Sequence, residues 1–180
     1  HDHRFGGRLE VDRHETRLLE LSVVRNSSRI TLVGGAAYQV DQYQADMLPA
    51  FDYRYRVPAL FGQVDYDLSD DVAIAASTRW DSHSQHGAQL SPRISLLYRP
   101  GNWTLRGSLG RGFYTPTPFV EETDAVGLFA LTPLEDLEVE HAQTGSIDLG
   151  YSAGSIEAGV TLFASEIDRA ITPMPTTDNR

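Results

Sequence analysis

Residues Leu60 to Trp80, LFGQVDYDLSDDVAIAASTRW, decide the fold. Taken at period two, Leu60, Gly62, Val64, Tyr66 and Leu68 share one face, and Phe61, Gln63, Asp65 and Asp67 share the other. One side is oily and its reverse mostly polar. After Ser69-Asp70-Asp71 the alternation resumes, with Val72, Ile74, Ala76, Thr78 and Trp80 opposite Ala73, Ala75, Ser77, Arg79 and Asp81. Two half-buried strands joined by a three-residue polar turn make a hairpin.

The pattern spreads outward from this hairpin. Leu90 to Arg99 alternates, turns at Pro100-Gly101-Asn102, and resumes as Trp103, Leu105, Gly107 and Leu109 against Thr104, Arg106, Ser108 and Gly110. Gly145 to Tyr151 and Ile156 to Leu162 form a further pair about a turn at Ser152 to Ser155. Upstream, Ile30 to Asp41 predicts a strand, and Phe5 to Asp12 and Arg17 to Val24 predict two more. The sum is about nine strands of roughly ten residues, the length a tilted strand needs to cross a bilayer.

Connections add a direction. Short links near Asn26-Ser27-Ser28, Ser69 to Asp71, Pro100 to Asn102 and Ser152 to Ser155 alternate with long ones at Gln42 to Arg56, Ser82 to Gln89 and Phe113 to Ala142. Outer-membrane barrels sort loops this way, with brief periplasmic turns and longer extracellular loops. Tyr66, Tyr98 and Tyr151 precede short turns, Trp103 follows one, and Trp80 closes a strand at the opposite rim, as interfacial rings should. The expected fold class is all-β, an antiparallel up-and-down transmembrane β-barrel segment of about nine strands. The competing expectation is a soluble β-sandwich carrying a lectin-like binding module.

Composition agrees and excludes other classes. With 15 basic and 25 acidic side chains the net charge is -10, which argues against a nucleic-acid partner that needs a basic face. No cysteine is present, so neither a disulfide framework nor a thiolate metal site is available. No apolar run reaches the length of a membrane helix, a test that alternating barrel strands escape. The opening His1-Asp2-His3-Arg4 has no apolar core of a secretion signal, which implies a processed or internal segment.

Ser91 to Pro100 (SPRISLLYRP) and Leu105 to Pro118 (LRGSLGRGFYTPTP) resemble the barrel of TonB-dependent receptors. In that family an "SPR" strand, a short turn and a strand ending in an "R-GF-xP" element follow in the same order, here completed by Arg111 to Pro118. Leu137-Glu138-Val139-Glu140-His141 is similar to the family's "L-P-E" stretch, with Val139 in the place of its usual proline. The resemblance implies an outer-membrane receptor for a scarce nutrient such as a ferric siderophore. It implies a TonB-type energy-coupling protein acting through a plug, outer-membrane lipid around the wall, and a small-molecule ligand such as a metal chelate. Family barrels close about 22 strands around a plugged lumen. Residues 1–180 are therefore expected to be part of such a barrel, with the plug and the remaining strands lying outside them, and no cofactor is implied.

Several side chains are candidates for chemistry. Glu121, Glu122, Asp124, Glu135, Asp136, Glu138 and Glu140 crowd the longest loop, but glycosidase chemistry needs two carboxyls fixed on a rigid scaffold. A solvated acidic loop is the simpler reading, and no enzyme is expected. His83 and His86 flank one loop and His1 and His3 open the chain, with nothing nearby to complete a metal set, so all four are read as exposed. Arg79, Arg93, Arg99 and Arg106 fall on the lumen face. There they would hold a plug or guide an anionic ligand, or, the favoured alternative, pair with Asp65, Asp67 and Asp81 across strands. Tyr43, Tyr53, Tyr55, Tyr114 and Phe119 are assigned to the long loops as contacts for an aromatic or catecholate ligand.

Overall fold

Alternation makes the strands and backbone pairing orders them. A computed structural model describes residues 2–5, 8–118 and 137–169, with side chains from residue 11 onward. Its strands are β1 (Asp2–Phe5), β2 (Arg8–Asn26), β3 (Ile30–Ala45), β4 (Tyr53–Asp67), β5 (Val72–His83), β6 (Gly87–Tyr98), β7 (Trp103–Tyr114), β8 (Glu140–Ala153) and β9 (Ile156–Asp168). They form one nine-stranded sheet in sequence order, every neighbouring pair antiparallel. That up-and-down order overturns the sandwich alternative, which needs two sheets packed face to face.

Cross-strand register carries the apolar residues onto one face. Leu60 opposes Trp80 and Trp80 opposes Leu90, while the second row below on the same face runs Val64, Ala76, Ile94, Leu109. Leu60, Trp80, Leu90, Ile94, Leu96, Ile147, Val160 and Leu162 are all exposed. A soluble sheet would bury such a face, because exposed apolar surface of this extent invites association. The turns bound its lower edge with Tyr66, Tyr98, Trp103 and Tyr151, the last two rings 4.8 Å apart. Tyr38 and Trp80 mark its upper edge. The nine positions from Pro58 to Tyr66, at about 3.3 Å each and tilted by about 40°, rise roughly 20 Å, close to the apolar belt of an outer-membrane barrel.

Several boundaries differ from the sequence reading. Phe5 to Asp12 and Arg17 to Val24 are not two separate strands: Phe5 ends β1, and β2 runs unbroken from Arg8 through Asp12 and on through Val24. Ser82 to Gln89 is no long loop: only residues 84–86 separate β5 from β6, and Gly87 takes the left-handed conformation that closes the turn. Gln42 to Arg56 shrinks to residues 46–52, folded around a short 3-10 turn at Pro49–Phe51. Apolar alternation stops near Val40 and Pro58, but the ladders do not stop there, because each strand still has a neighbour to satisfy its backbone. Of the Phe113 to Ala142 loop, residues 119–136 lie outside the described ones.

Candidate functional site

Above the apolar band the inner face changes character. Residues that pair directly share a face, so His14, Tyr43 and Tyr53 stand in one row and Thr16, Asp41 and Tyr55 in the next. Tyr43 stacks on Tyr53 at 5.8 Å between ring centroids, and Tyr53 on Tyr55 at 4.6 Å, both pairs within 16° of parallel. Tyr55 meets His83 at 4.7 Å and His83 meets His86 at 4.8 Å, while the edge of His14 approaches both Tyr43 and Tyr53. The result is a ladder of six rings across four strands. Its upper end, at Tyr43, is packed by Phe51, Ala45 and Leu48 at the β3–β4 tip, where the Asp52 carboxylate accepts the Ala45 N–H at 2.8 Å.

Carboxylates hold the rings in place. Asp12 accepts the Tyr43 hydroxyl at 2.7 Å, and Asp41 accepts Thr16 at 2.9 Å and lies 2.8 Å from His14 Nε2. Burial, and then the Asp41 charge, raise the Tyr55 phenol above its usual range. His83 is buried, and its Nδ1 accepts the N–H groups of Gln85 and His86 at 3.2 Å. A nitrogen that accepts carries no proton, so the neutral ring presents Nε2–H. Burial first, then the neighbouring His86, hold His83 below its ordinary value, against a smaller opposing pull from Asp41. Burial lowers His86 as well, opposed by the Pro116 carbonyl.

A cavity of about 310 Å³ opens beside the ladder between two parts of the sheet. Asp41, Tyr55, Arg79, Asp81 and His83 line it from the inner face, and Phe113, Thr115 and Thr117 line it from the end of β7 and beyond. The β6–β7 ladder ends at Arg93 opposite Gly110, next to Pro92, which has no N–H to continue it. Upper β7 stays paired to β8 and leaves β6, which brings Phe113 over the cavity.

The sequence candidates divide accordingly. Tyr43, Tyr53 and Tyr55 come together, but in strands and not in loops, and Tyr114 is the last residue of β7. Phe119 lies outside the described residues. The favoured cross-strand charge pairs do not form: Arg79 binds Asp81 of its own strand at 2.9 Å and reaches Glu20 at 3.9 Å, and Asp65 is held by Gln63. Arg93, Arg99 and Arg106 make no ion pair among the described residues. His83 was expected to be exposed and is 5% exposed, because Tyr55 from another strand covers it. His14, Asp12 and Asp41 were missed altogether. Their signal was the continuation of period two through polar residues. No cluster of three or more metal-binding side chains gathers among the described residues.

The fold has known counterparts. The sheet superposes on the siderophore receptor PirA from Pseudomonas aeruginosa with a TM-score of 0.75 at 18% identity, covering 92% of this chain and 33% of that one. The FrpB iron transporter from Neisseria meningitidis gives 0.73 at 16%, covering 94% and 30%. The ferric enterobactin receptor PfeA, in complex with BCV-L6, gives 0.68 at 16%, covering 89% and 28%. The chain thus spans about a third of the length of these receptors, and at such identity the likeness concerns the fold. Comparison with curated protein sequences finds no match. The family model described as "TonB dependent receptor-like, beta-barrel" matches residues 2–180, and the chain belongs to that family.

Proposed function

We propose that this chain forms part of the wall of an outer-membrane receptor that takes up a scarce nutrient, such as a ferric siderophore, by TonB-dependent transport and performs no catalysis. The observation that carries the reading is the two-faced sheet. One face is an apolar band edged by aromatic rings, as lipid contact requires, and the other holds an aromatic ladder and a cavity above that band. In this reading the plug and the other strands lie outside residues 1–180, and a TonB-type protein delivers energy through the plug. Tyr55 meets the ligand where it lines the cavity, Tyr53 and Tyr43 are stacked behind it, and Tyr114 and Phe119 are further proposed contacts. Arg93, Arg99 and Arg106, without an ion pair among the described residues, contact plug carboxylates or an anionic ligand from the lumen face. The solved receptors, a siderophore receptor and an iron transporter among them, support the ligand class by kinship only.

The test uses the full-length receptor in cells lacking it. Uptake of labelled ferric siderophores should depend on the receptor and on TonB, and Tyr55→Ala should weaken ligand binding by about tenfold while the protein stays in the outer-membrane fraction. A soluble protein, or uptake unchanged by loss of the receptor, would overturn the proposal.

A further inference from the structure

All fifteen basic residues of this chain are arginines, and four of them gather where the apolar face ends. On the outer face the last apolar row is Leu19, Tyr38 and Pro58. The row above it is Arg17, Val40 and Arg56; the next is Glu15, Gln42 and Arg54; the third pairs Arg13 with Gln44. Successive rows lie about 5 Å apart in height for strands tilted by about 40°. The guanidinium groups of Arg17 and Arg56 therefore stand at the level of lipid head groups.

The charge here runs against the molecule as a whole. Four arginines face one glutamate in a chain of net charge -10. Glu15 binds Arg17 at 2.6 Å and Arg13 at 3.2 Å, and these cations pull its carboxyl below the usual range, Arg17 foremost. One carboxylate cannot neutralise both, and Arg54 and Arg56 make no ion pair among the described residues. A hollow of about 190 Å³ lies between Arg13, Glu15, Arg17, Gln42 and Gln44, open on the same face. The inner face among the same rows carries the opposite sign, with Asp41 beside Tyr55 and Asp12 beside Ala45. Solubility alone gives no reason to sort acids inward and arginines outward.

We infer that Arg17, Arg54 and Arg56, with Arg13 and the glutamines beside it, form a docking site for the phosphorylated head group of a lipid such as lipid A. Its acyl chains would lie along the apolar rows beneath. The geometry suits that occupant in two respects. Guanidinium forks bind phosphate through paired N–H donors, which a lysine ammonium cannot match. A site flush with an apolar band selects an amphiphile over a free anion, because the same molecule satisfies both surfaces. Arg17 and Arg56 lie two strands apart, about 10 Å, so one head group with two phosphates, or two adjacent head groups, bridges them. Glu15 keeps the arginines ordered without cancelling the patch.

This inference rests on the membrane reading above. Its test takes the full-length receptor in detergent and measures bound lipid by native mass spectrometry. Titrants are bis-phosphorylated lipid A, dephosphorylated lipid A and inorganic phosphate. Arg17→Gln with Arg56→Gln should weaken lipid A retention by roughly tenfold or more, and Arg54→Gln by less. Arg25→Gln, which removes one arginine charge at the opposite edge of the outer face as Arg54→Gln does at this one, should leave retention unchanged. Equal retention of dephosphorylated lipid, equal binding of free phosphate, or a double variant that binds like the parent overturns the site while the receptor remains in the membrane. Recovery of the parent protein from the soluble fraction would instead defeat the membrane reading, and this inference with it.

Discussion

Gly34 and Gly35 sit next to each other in β3 and point to opposite faces, so the same substitution at each asks two different questions. A Cβ at Gly34 meets nothing within 4 Å. A Cβ at Gly35 would run into the Phe61 ring, which lies across the glycine, and into the carbonyl oxygen of Leu21. The ring can swing aside, but the carbonyl belongs to the β2–β3 ladder and moves only if the pairing of Ser22 with Gly35 moves too. Gly34→Ala should be neutral or stabilising by about 0.5 kcal/mol, through the lower entropy of the unfolded chain. Gly35→Ala should cost about 1 to 3 kcal/mol, the range for forcing extra volume into a filled site. Phe61→Leu in the Gly35→Ala background should recover only part of that loss, because the Leu21 carbonyl remains. Urea unfolding of the full-length receptor in lipid vesicles, followed by tryptophan fluorescence, reads the difference. If Gly35→Ala proves as stable as Gly34→Ala, the close approach of β2, β3 and Phe61 described above is wrong.

Three further outcomes follow from the same geometry. Leu96→Arg on the outer face should cost about 2 to 4 kcal/mol in lipid, and Ser95→Arg on the inner face far less; equal costs would mean the faces are reversed. Burial holds His83 below its usual value near 6.5, so on acidification the unfolded chain protonates first. Its contribution is complete above about pH 6.5 and is lost as pH falls through the lowered folded value. The protection factors of the Gln85 and His86 amides, both donors to His83, with the intrinsic pH dependence of exchange divided out, should therefore fall as the pH drops below about 6.5, and a flat protection profile would exclude the titration. Deleting Glu122 to Glu135 should reduce ligand uptake while the barrel still assembles, since a loop of this length on the ligand side tends to be functional; normal uptake by the assembled deletion would make it a passive surface loop.

What sequence made legible here was whatever lipid demands of it. Between Leu60 and Trp80 every second residue must be apolar, so strand, face, register and the turn at Ser69 to Asp71 could all be read without a structure. Above the band that demand ends. Tyr53-Arg54-Tyr55-Arg56 keeps the period but reverses the polarity, with rings inward and arginines outward, and a reading tuned to apolar alternation takes it for a loop. The burial of His83 was out of reach for another reason, because it depends on Tyr55, 28 positions away, whose ring comes alongside only once β4 and β5 are in register. At Pro58 the β4–β5 ladder is interrupted beyond Ala59, yet Ser84 resumes it by donating its N–H to the Arg56 carbonyl and accepting the Arg56 N–H on its hydroxyl. At Pro92 no such substitute appears, and β7 leaves β6. Two prolines in similar strands thus have different outcomes, one bridged by a serine and one opening the cavity beneath Phe113. The deciding residue is the partner across the gap, which the local sequence around a proline does not contain.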